Sequence, residues 1–354
     1  MSVYTQQRFI FMTLDPVHIG TGGYRLGRVD MSIVREPGTN LPKIPGTSLA
    51  GAIRSYAHLH YFDKPESGKR DKALDDDTKS DSLDEAKKRK EREAFYYTFG
   101  SATDAGGGQA GTVSIGDARL LFFPVASQAG PVWVTTAEIL QEVWGMNSFT
   151  LPKDKAENSV EPKDNGPLVT TLDKTQLNLG WLLFEAKSGL KITPQNDIAQ
   201  EPQNHITQKP EWKAIQGRIV LTTARNFTQI VNSNLEVRTS VSIDPETGAA
   251  DDGALFTYEA LPRATWLWCD IIEDDYRGKF KAAAQNIPVS EGKSKPERPL
   301  DVVRAGLDLI EYLGVGGMGT RGFGRMKIMS FVEDKGNQSS GVQAKAEEQT
   351  NEPK

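Results

Sequence analysis

At 354 residues, 38% hydrophobic and 25% charged, the chain has the composition of a globular protein of one large or two modest domains. Its single cysteine, Cys269, leaves no disulfide framework and no thiolate zinc site, and four histidines are too few for a histidine-rich metal or catalytic centre. A net charge of −5 argues mildly against nucleic acid. The charge is unevenly spread, however. Arg25, Arg28, Arg35, Lys43 and Arg54 crowd one stretch, Arg321, Arg325 and Lys327 another, and the acids pool elsewhere. No apolar run approaches the ~20 residues of a membrane helix, and the start, MSVYTQQRF, lacks a signal-peptide core. A cytoplasmic location and no membrane partner are therefore expected.

Arg8 to Leu14 sets Phe9 and Phe11 against Ile10 and Met12, which predicts a strand buried on both faces and ended by Asp15-Pro16. Gly20, Gly22, Gly23 and Gly27 follow; glycine at that density implies positive φ or a close backbone approach, or a flexible surface loop. Pro42 to Pro45 is extended and leads to a helix capped by Thr47 or Ser48, with Leu49, Ile53, Tyr56 and Leu59 on its apolar face. The amides of that first turn suit a phosphate, although capping alone explains the residues. His58 and His60 are two apart and share no helix face. Residues 63–97 form a charged insertion, expected to be disordered at first and helical from about Ser82 to Tyr97, whose charge run 63–93, acidic then basic, reads as a solvated face.

Thr112 to Phe123 predicts a strand pair or one long bent strand, Val132 to Thr135 a short strand, and Thr136 to Val143 a helix. Residues 151–170 and 187–213 read as loops. Gly217 to Thr223 is β-like. Leu235 to Ile243 and Leu255 to Tyr258 flank Asp244-Pro245-Glu246-Thr247-Gly248, a hairpin signal. Ala264 to Ile272 is a buried strand holding Cys269 as a core residue. Pro299 starts a helix that Gly314 stops, Phe323 to Phe331 is a last strand, and 333–354 is a disordered tail. Strand, helix, strands, then strand, helix, strand is the order of a ferredoxin-like (RRM-like) βαββαβ fold of the α+β class with long insertions. Such a sheet leaves one face open, where RNA recognition modules bind.

Neither glycine run ends in the Gly-Lys-Ser/Thr of a P-loop, neither sits in a Rossmann context, and no Ser-His-Asp or Cys-His set can be assembled. Backbone amides and guanidinium groups remain, which suit a sugar-phosphate chain. The loops His18–Arg54 and Gly314–Gly324 are accordingly expected on one surface. Asp30 follows the first. Beside a phosphodiester held by Arg25 or Arg28, its carboxylate would bind a divalent ion or position a 2′-hydroxyl for in-line attack. The plainer alternative makes Asp30 a turn residue or an ion-pair partner of Arg28.

LDPVHIGTGG…LGRVD, LPKIPGTSLAGAIR, VRTSVSIDPETGAADDGALFTYEALP and GVGGMGTRGFGRMKI, in that order, resemble the RAMP superfamily. More narrowly, they resemble the repeated backbone subunit of type III CRISPR effector complexes, of the Cmr type (the seventh Cas family). The resemblance implies a palm over residues 1–332 and a β-hairpin thumb near 235–260. It implies polymerisation along a guide RNA at about one six-nucleotide step per copy, and contacts to the other subunits of the complex. It also implies cleavage of complementary target RNA once per subunit by Asp30 and a divalent metal, Mg2+ being the first choice. The RNA would lie on His18, Gly20, Gly22, Gly23, Arg25, Arg28, Thr47, Ser48, Arg54, Gly316, Gly317, Arg321 and Arg325. One departure is Ala50, where related sequences carry a lysine. The alternatives are a non-catalytic RNA-binding scaffold and a stand-alone guide-processing nuclease; the scarcity of histidine counts against the latter.

Overall fold

A computed structural model describes residues 4–22, 29–62, 83–101, 108–194, 205–241, 246–249, 255–289 and 294–334. Its strands are β1 (Tyr4–Thr13), β2 (Val113–Ile115), β3 (Arg119–Val125), β4 (Val132–Thr136), β5 (Phe149–Thr150), β6 (Leu168–Thr170) and β7 (Gln176–Leu179). They continue as β8 (Leu182–Ser188), β9 (Lys191–Ile192), β10 (Ile219–Thr222), β11 (Glu236–Ser240), β12 (Phe256–Ala260), β13 (Trp266–Asp274) and β14 (Met326–Asp334). The helices are α1 (Gly46–Phe62), α2 (Leu83–Glu91), α3 (Glu93–Phe99), α4 (Ala137–Trp144), α5 (Pro210–Ile215), α6 (Ala224–Ser233), α7 (Phe280–Ala283) and α8 (Pro299–Leu313).

Most strands join one mixed sheet of order β14-β1-β13-β3-β4-β10-β6-β8-β7, with β2 also paired to β13. β1 lies one strand in from the β14 edge, antiparallel to β13 (Phe9 opposite Cys269) and to β14 (Phe9 opposite Phe331). Thr112–Phe123 is the long bent strand expected: β2 and β3 both pair with β13, and at Gly116 between them a Cβ would sit 2.9 Å from Asp270 O. Farther out, parallel pairs, β10 with β4 and β6 with β8, alternate with antiparallel ones, β10 with β6 and β7 with β8.

α1 and α8 cover one face. Leu49, Ile53, Leu300, Val303, Leu307 and Ile310 bury against Phe9, Phe11, Leu267, Cys269 and Ile271, each such side chain contributing about 1.5–3 kcal/mol. The two helices approach so closely that a Cβ on Gly306 would lie 2.2 Å from Ile53 O. Tyr56 donates to Gly314 O at 2.6 Å, tying α1 to the end of α8.

The open sheet face expected of an RRM-like fold does not exist here. Ile10, Leu121, Phe122, Trp266, Trp268 and Met329 bury under Trp144 of α4 and Trp212 of α5. The reason lies in β1 itself, which is apolar on both sides and needs a core on each. Base stacking on an exposed sheet is thereby excluded for this strand set.

One further expectation is corrected. Residues 151–170 and 187–213 are not all loop, because β6, β9 and α5 fall within them and β6 is buried at every residue. The charged run is solvated where it is described, Lys87–Lys90 being exposed, and the residues that follow it, Ala94, Phe95 and Tyr97 of α3, bury against Ala57, Phe280 and Val302. The insertion's residues 63–82 and the tail from 335 lie outside the described residues. Among the described residues, no helix is long and apolar enough to cross a membrane.

Candidate nucleic-acid interface

Three chain segments meet at one end of the sheet because three adjacent strands deliver them there. Thr13 at the end of β1 faces Met326 at the start of β14, and Met12 faces Trp266 at the start of β13. The loop after β1, the hairpin before β13 and the glycine loop before β14 therefore emerge side by side. Gly324 N donates to Pro16 O at 2.9 Å and Gly317 N to His18 O at 3.0 Å, so the two glycine loops do share a surface, as expected. Gly316 shows why glycine is required there: φ is +89°, and a Cβ would lie 2.5 Å from His18 O. Gly20, Thr21, Gly22, Gly316, Gly317 and Gly319–Gly322 are exposed and form its outer skin. Gly23, Arg25 and Arg28 lie outside the described residues.

The hairpin expected from sequence is β11 paired with β12, Glu236 opposite Ala260 and Ser240 opposite Phe256. Residues 242–245 and 250–254 of its tip lie outside the described residues. One side of β12 presents Phe256 and Tyr258, which pack with Met31, Met318 and Phe323 in a small apolar cluster. That cluster joins the Asp30 segment, the hairpin and the C-terminal loop. Arg321 stacks over Phe256 at 5.4 Å and Arg238 over Phe323 at 4.8 Å, two exposed cations held on aromatic faces.

The other side of β12 holds Asp30. The Thr257 amide donates to Asp30 Oδ2 at 2.7 Å, its hydroxyl donates to the same oxygen at 2.9 Å, and Asp30 N donates back to that hydroxyl at 3.1 Å. These bonds, the Thr257 amide first and then its hydroxyl, hold the carboxyl below the usual aspartate range. No donor of another described residue reaches Oδ1. Two residues along, Glu259 pairs with Arg35 at 2.8 Å, and Arg35 also donates to Asn232 Oδ1 at 3.0 Å. Nothing in the linear sequence marks Thr257 or Glu259, whose side-chain partners Asp30 and Arg35 are remote, while Arg238 pairs with its near neighbour Glu236 at 2.6 Å as well as lying over Phe323.

Several expected contacts receive other tasks. His18 is buried, 5% exposed; its Nδ1 lies 2.6 Å from Glu259 O and its ring meets Tyr258 edge-on, which makes it a strut rather than a phosphate ligand. Arg325 pairs with Asp15 at 2.5 Å, and Arg54 stacks at 5.7 Å on Phe95 of α3. Thr47 and Ser48 do not cap α1. The helix starts one residue earlier, and Asp117 takes the cap, accepting from Gly46 N at 2.7 Å and from Lys43 Nζ at 2.5 Å. Thr47 is exposed in the first turn. Cys269 is fully buried and its thiol is pushed up by that burial, as befits a core residue.

Among the described residues, no three His, Cys, Asp or Glu side chains cluster to hold a metal. Asp30 Oδ1 alone fits a divalent ion only if RNA oxygens and water complete its shell.

A sequence model of the RAMP superfamily matches residues 10–327. The chain belongs to the RAMP superfamily. Over 279 residues, 73% of this chain and 79% of the relative, it is 29% identical to the CRISPR system Cmr endoribonuclease Cmr4 of Pyrococcus furiosus. Among solved structures this RAMP chain resembles a chain of the type III-B Cmr-beta complex in its apo state, with TM-score 0.55 and 16% identity over 91% of this chain and 96% of that one. A second likeness is to the same type of complex bound to cognate target RNA, with TM-score 0.55 and 16% identity over 92% and 97%. The resemblance read from the motifs is thus borne out.

Proposed function

We propose that this RAMP chain is the repeating, guide-RNA-binding backbone subunit of a type III CRISPR effector complex, and that it cleaves complementary target RNA at regular intervals through Asp30. The observation that carries the proposal is the placement of Asp30, docked on the hairpin strand beside two exposed glycine loops. The 29% identity to a Cmr endoribonuclease supports it. In this reading β14-β1-β13 with β2 and β3, backed by α1 and α8, is a ferredoxin-like palm, and β11–β12 is the thumb entering between guide and target. Copies of the chain would line up along one guide strand, beside the other subunits of the complex.

The guide backbone would run over Gly20–Gly22 and Gly316–Arg321, where amides and small residues allow close approach. The charge of Arg238 and Arg321 would face phosphates. A carboxylate held below the usual range is a weak base, so Asp30 acts by orienting the 2′-hydroxyl rather than by strong proton removal. The 2′-oxygen would attack the adjacent phosphorus in line as the bond to the 5′-oxygen breaks, leaving a cyclic 2′,3′-phosphate and a free 5′-hydroxyl. A divalent cation, Mg2+ for instance, would be held by Asp30 Oδ1 and RNA oxygens and would neutralise developing charge.

The test is Asp30→Ala in the assembled, guide-loaded complex. Cleavage at the periodic sites should vanish while target RNA still binds. Cleavage that continues at the same sites would refute the role of Asp30. That outcome would favour the second reading, a non-catalytic RNA-binding scaffold, which the satisfied state of Asp30 Oδ2 also suits.

A further inference from the structure

Asp30 is not simply near the hairpin; its conformation is set by it. We infer that Thr257 is the positioning residue for Asp30, so that strand β12 fixes the geometry of cleavage; this rests on the reading of Asp30 as the catalytic carboxylate.

The hydroxyl of Thr257 is used twice against one partner, donating to Asp30 Oδ2 at 2.9 Å and accepting from Asp30 N at 3.1 Å. The Thr257 amide adds a second donor to the same oxygen at 2.7 Å. With both donors on Oδ2, the carboxylate cannot rotate without breaking bonds, and Oδ1 is the oxygen left for RNA. Only Ser or Thr can donate and accept at this point. Threonine adds a β-branched carbon that stiffens χ1 on a strand.

The backbone on either side moves as one piece with β12. Met31 N donates to Thr257 O and Glu259 N to Met31 O, both at 3.0 Å. On the strand's far side, Tyr258 packs on Phe323 at 5.6 Å and its hydroxyl accepts from Ser240 Oγ at 3.1 Å, while Arg321 lies over Phe256. A shift of the hairpin against the glycine loop therefore becomes a shift of Asp30. A turn-stabilising threonine alone would affect folding, not the rate constant of cleavage at saturating RNA.

The experiment compares Thr257→Val, Thr257→Ser and Asp30→Asn in assembled, guide-loaded complexes, measuring target-RNA affinity and the single-turnover cleavage rate. Thr257→Val keeps the shape and the backbone bond but loses the hydroxyl. Its cleavage rate should fall about 10- to 100-fold, the scale of a catalytic group misplaced by about 1 Å, with affinity unchanged. Thr257→Ser should restore most of the rate. Wild-type cleavage by Thr257→Val, or losses of rate and affinity in proportion in both Thr257 variants, would overturn the inference while loss of cleavage in Asp30→Asn upholds the reading beneath it. Wild-type cleavage by Asp30→Asn would remove that reading and the inference together.

Discussion

Gly316→Ala is the sharpest test of how the two glycine loops are joined. The added Cβ would lie 2.4 Å from Ile19 Cδ1 and 2.5 Å from His18 O, on a backbone whose φ is +89°. The Ile19 methyl can swing aside. His18 O cannot, because it accepts from Gly317 N at 3.0 Å and its ring is tied to Glu259 O at 2.6 Å. A left-handed alanine costs about 1–2 kcal/mol, and a lengthened hydrogen bond adds about 1 kcal/mol or somewhat more. The expected loss is about 2–4 kcal/mol, roughly a 30- to 700-fold shift in the folding equilibrium at 1.4 kcal/mol per decade. Urea unfolding of matched variants separates the contributions. Gly22→Ala, with φ +73° and no atom of a described residue within 4 Å, should show the strain alone, about 1–2 kcal/mol. Gly319→Ala, with neither strain nor neighbours, should stay within about 0.5 kcal/mol of wild type. A Gly316→Ala protein no less stable than Gly319→Ala would refute the close approach of the two loops.

The two arginines of the C-terminal loop should behave differently. Arg321→Glu should flatten the salt dependence of RNA binding by about 0.7 or more in log–log slope at unchanged stability, whereas Arg325→Glu, which breaks the pair with Asp15, should show in unfolding more than in binding. Filter binding across a salt titration, with urea curves alongside, checks both. Asp117→Asn can still accept from Gly46 N but removes the charge that faces Lys43 and the start of α1, at about 1 kcal/mol near neutral pH. Burial pushes this carboxyl up, but bonds from Lys43 and Gly46 N outweigh it and hold it below the usual range. Its contribution is thus fully present above the unfolded value near 3.9 and fades as pH falls through the lower folded value. The deficit of the variant should shrink at pH 3; an equal deficit at both pH values would disprove the charge-based cap. Trp212→Ala, at a residue 1% exposed between Trp144, Trp266 and Phe122, should cost about 3–5 kcal/mol. A cost under about 1 kcal/mol would mean that the second sheet face is not a core.

Elements with a strong local period were readable. β1, α1, β13, α8 and β14 each carry an apolar face or run bounded by Pro or Gly, and the hairpin announces itself by its turn residues. α6 is legible by the same rule, with Thr223 capping Ala224–Ser233 and Phe227, Ile230 and Val231 at helical spacing. β6 is not readable by period, because three residues buried on both faces show none. The caps failed for a related reason. Thr47 and Ser48 are good capping residues, but Asp117 reaches the helix from 71 residues away and displaces them. His18 illustrates the limit for function. A histidine next to a glycine loop looks like a ligand, and only the fold reveals that Glu259 O and the Tyr258 ring enclose it.

The interface is assembled by strand order rather than by any one motif. Because β1 lies between β13 and β14, whatever follows β1 must meet whatever precedes its two neighbours. That places residues 16–35, the β11–β12 hairpin and Gly314–Gly324 together, although they span almost the full described chain. The expectation that the glycine loops share one surface agrees with this strand order. What it left open is which side of the hairpin strand faces Asp30, since a one-residue slip in β12 would exchange Thr257 for Tyr258. The register of Tyr258 beside Met31 decides that choice. It puts a hydroxyl that can both donate and accept against the carboxylate, and the aromatic rings against the loop that carries Arg321.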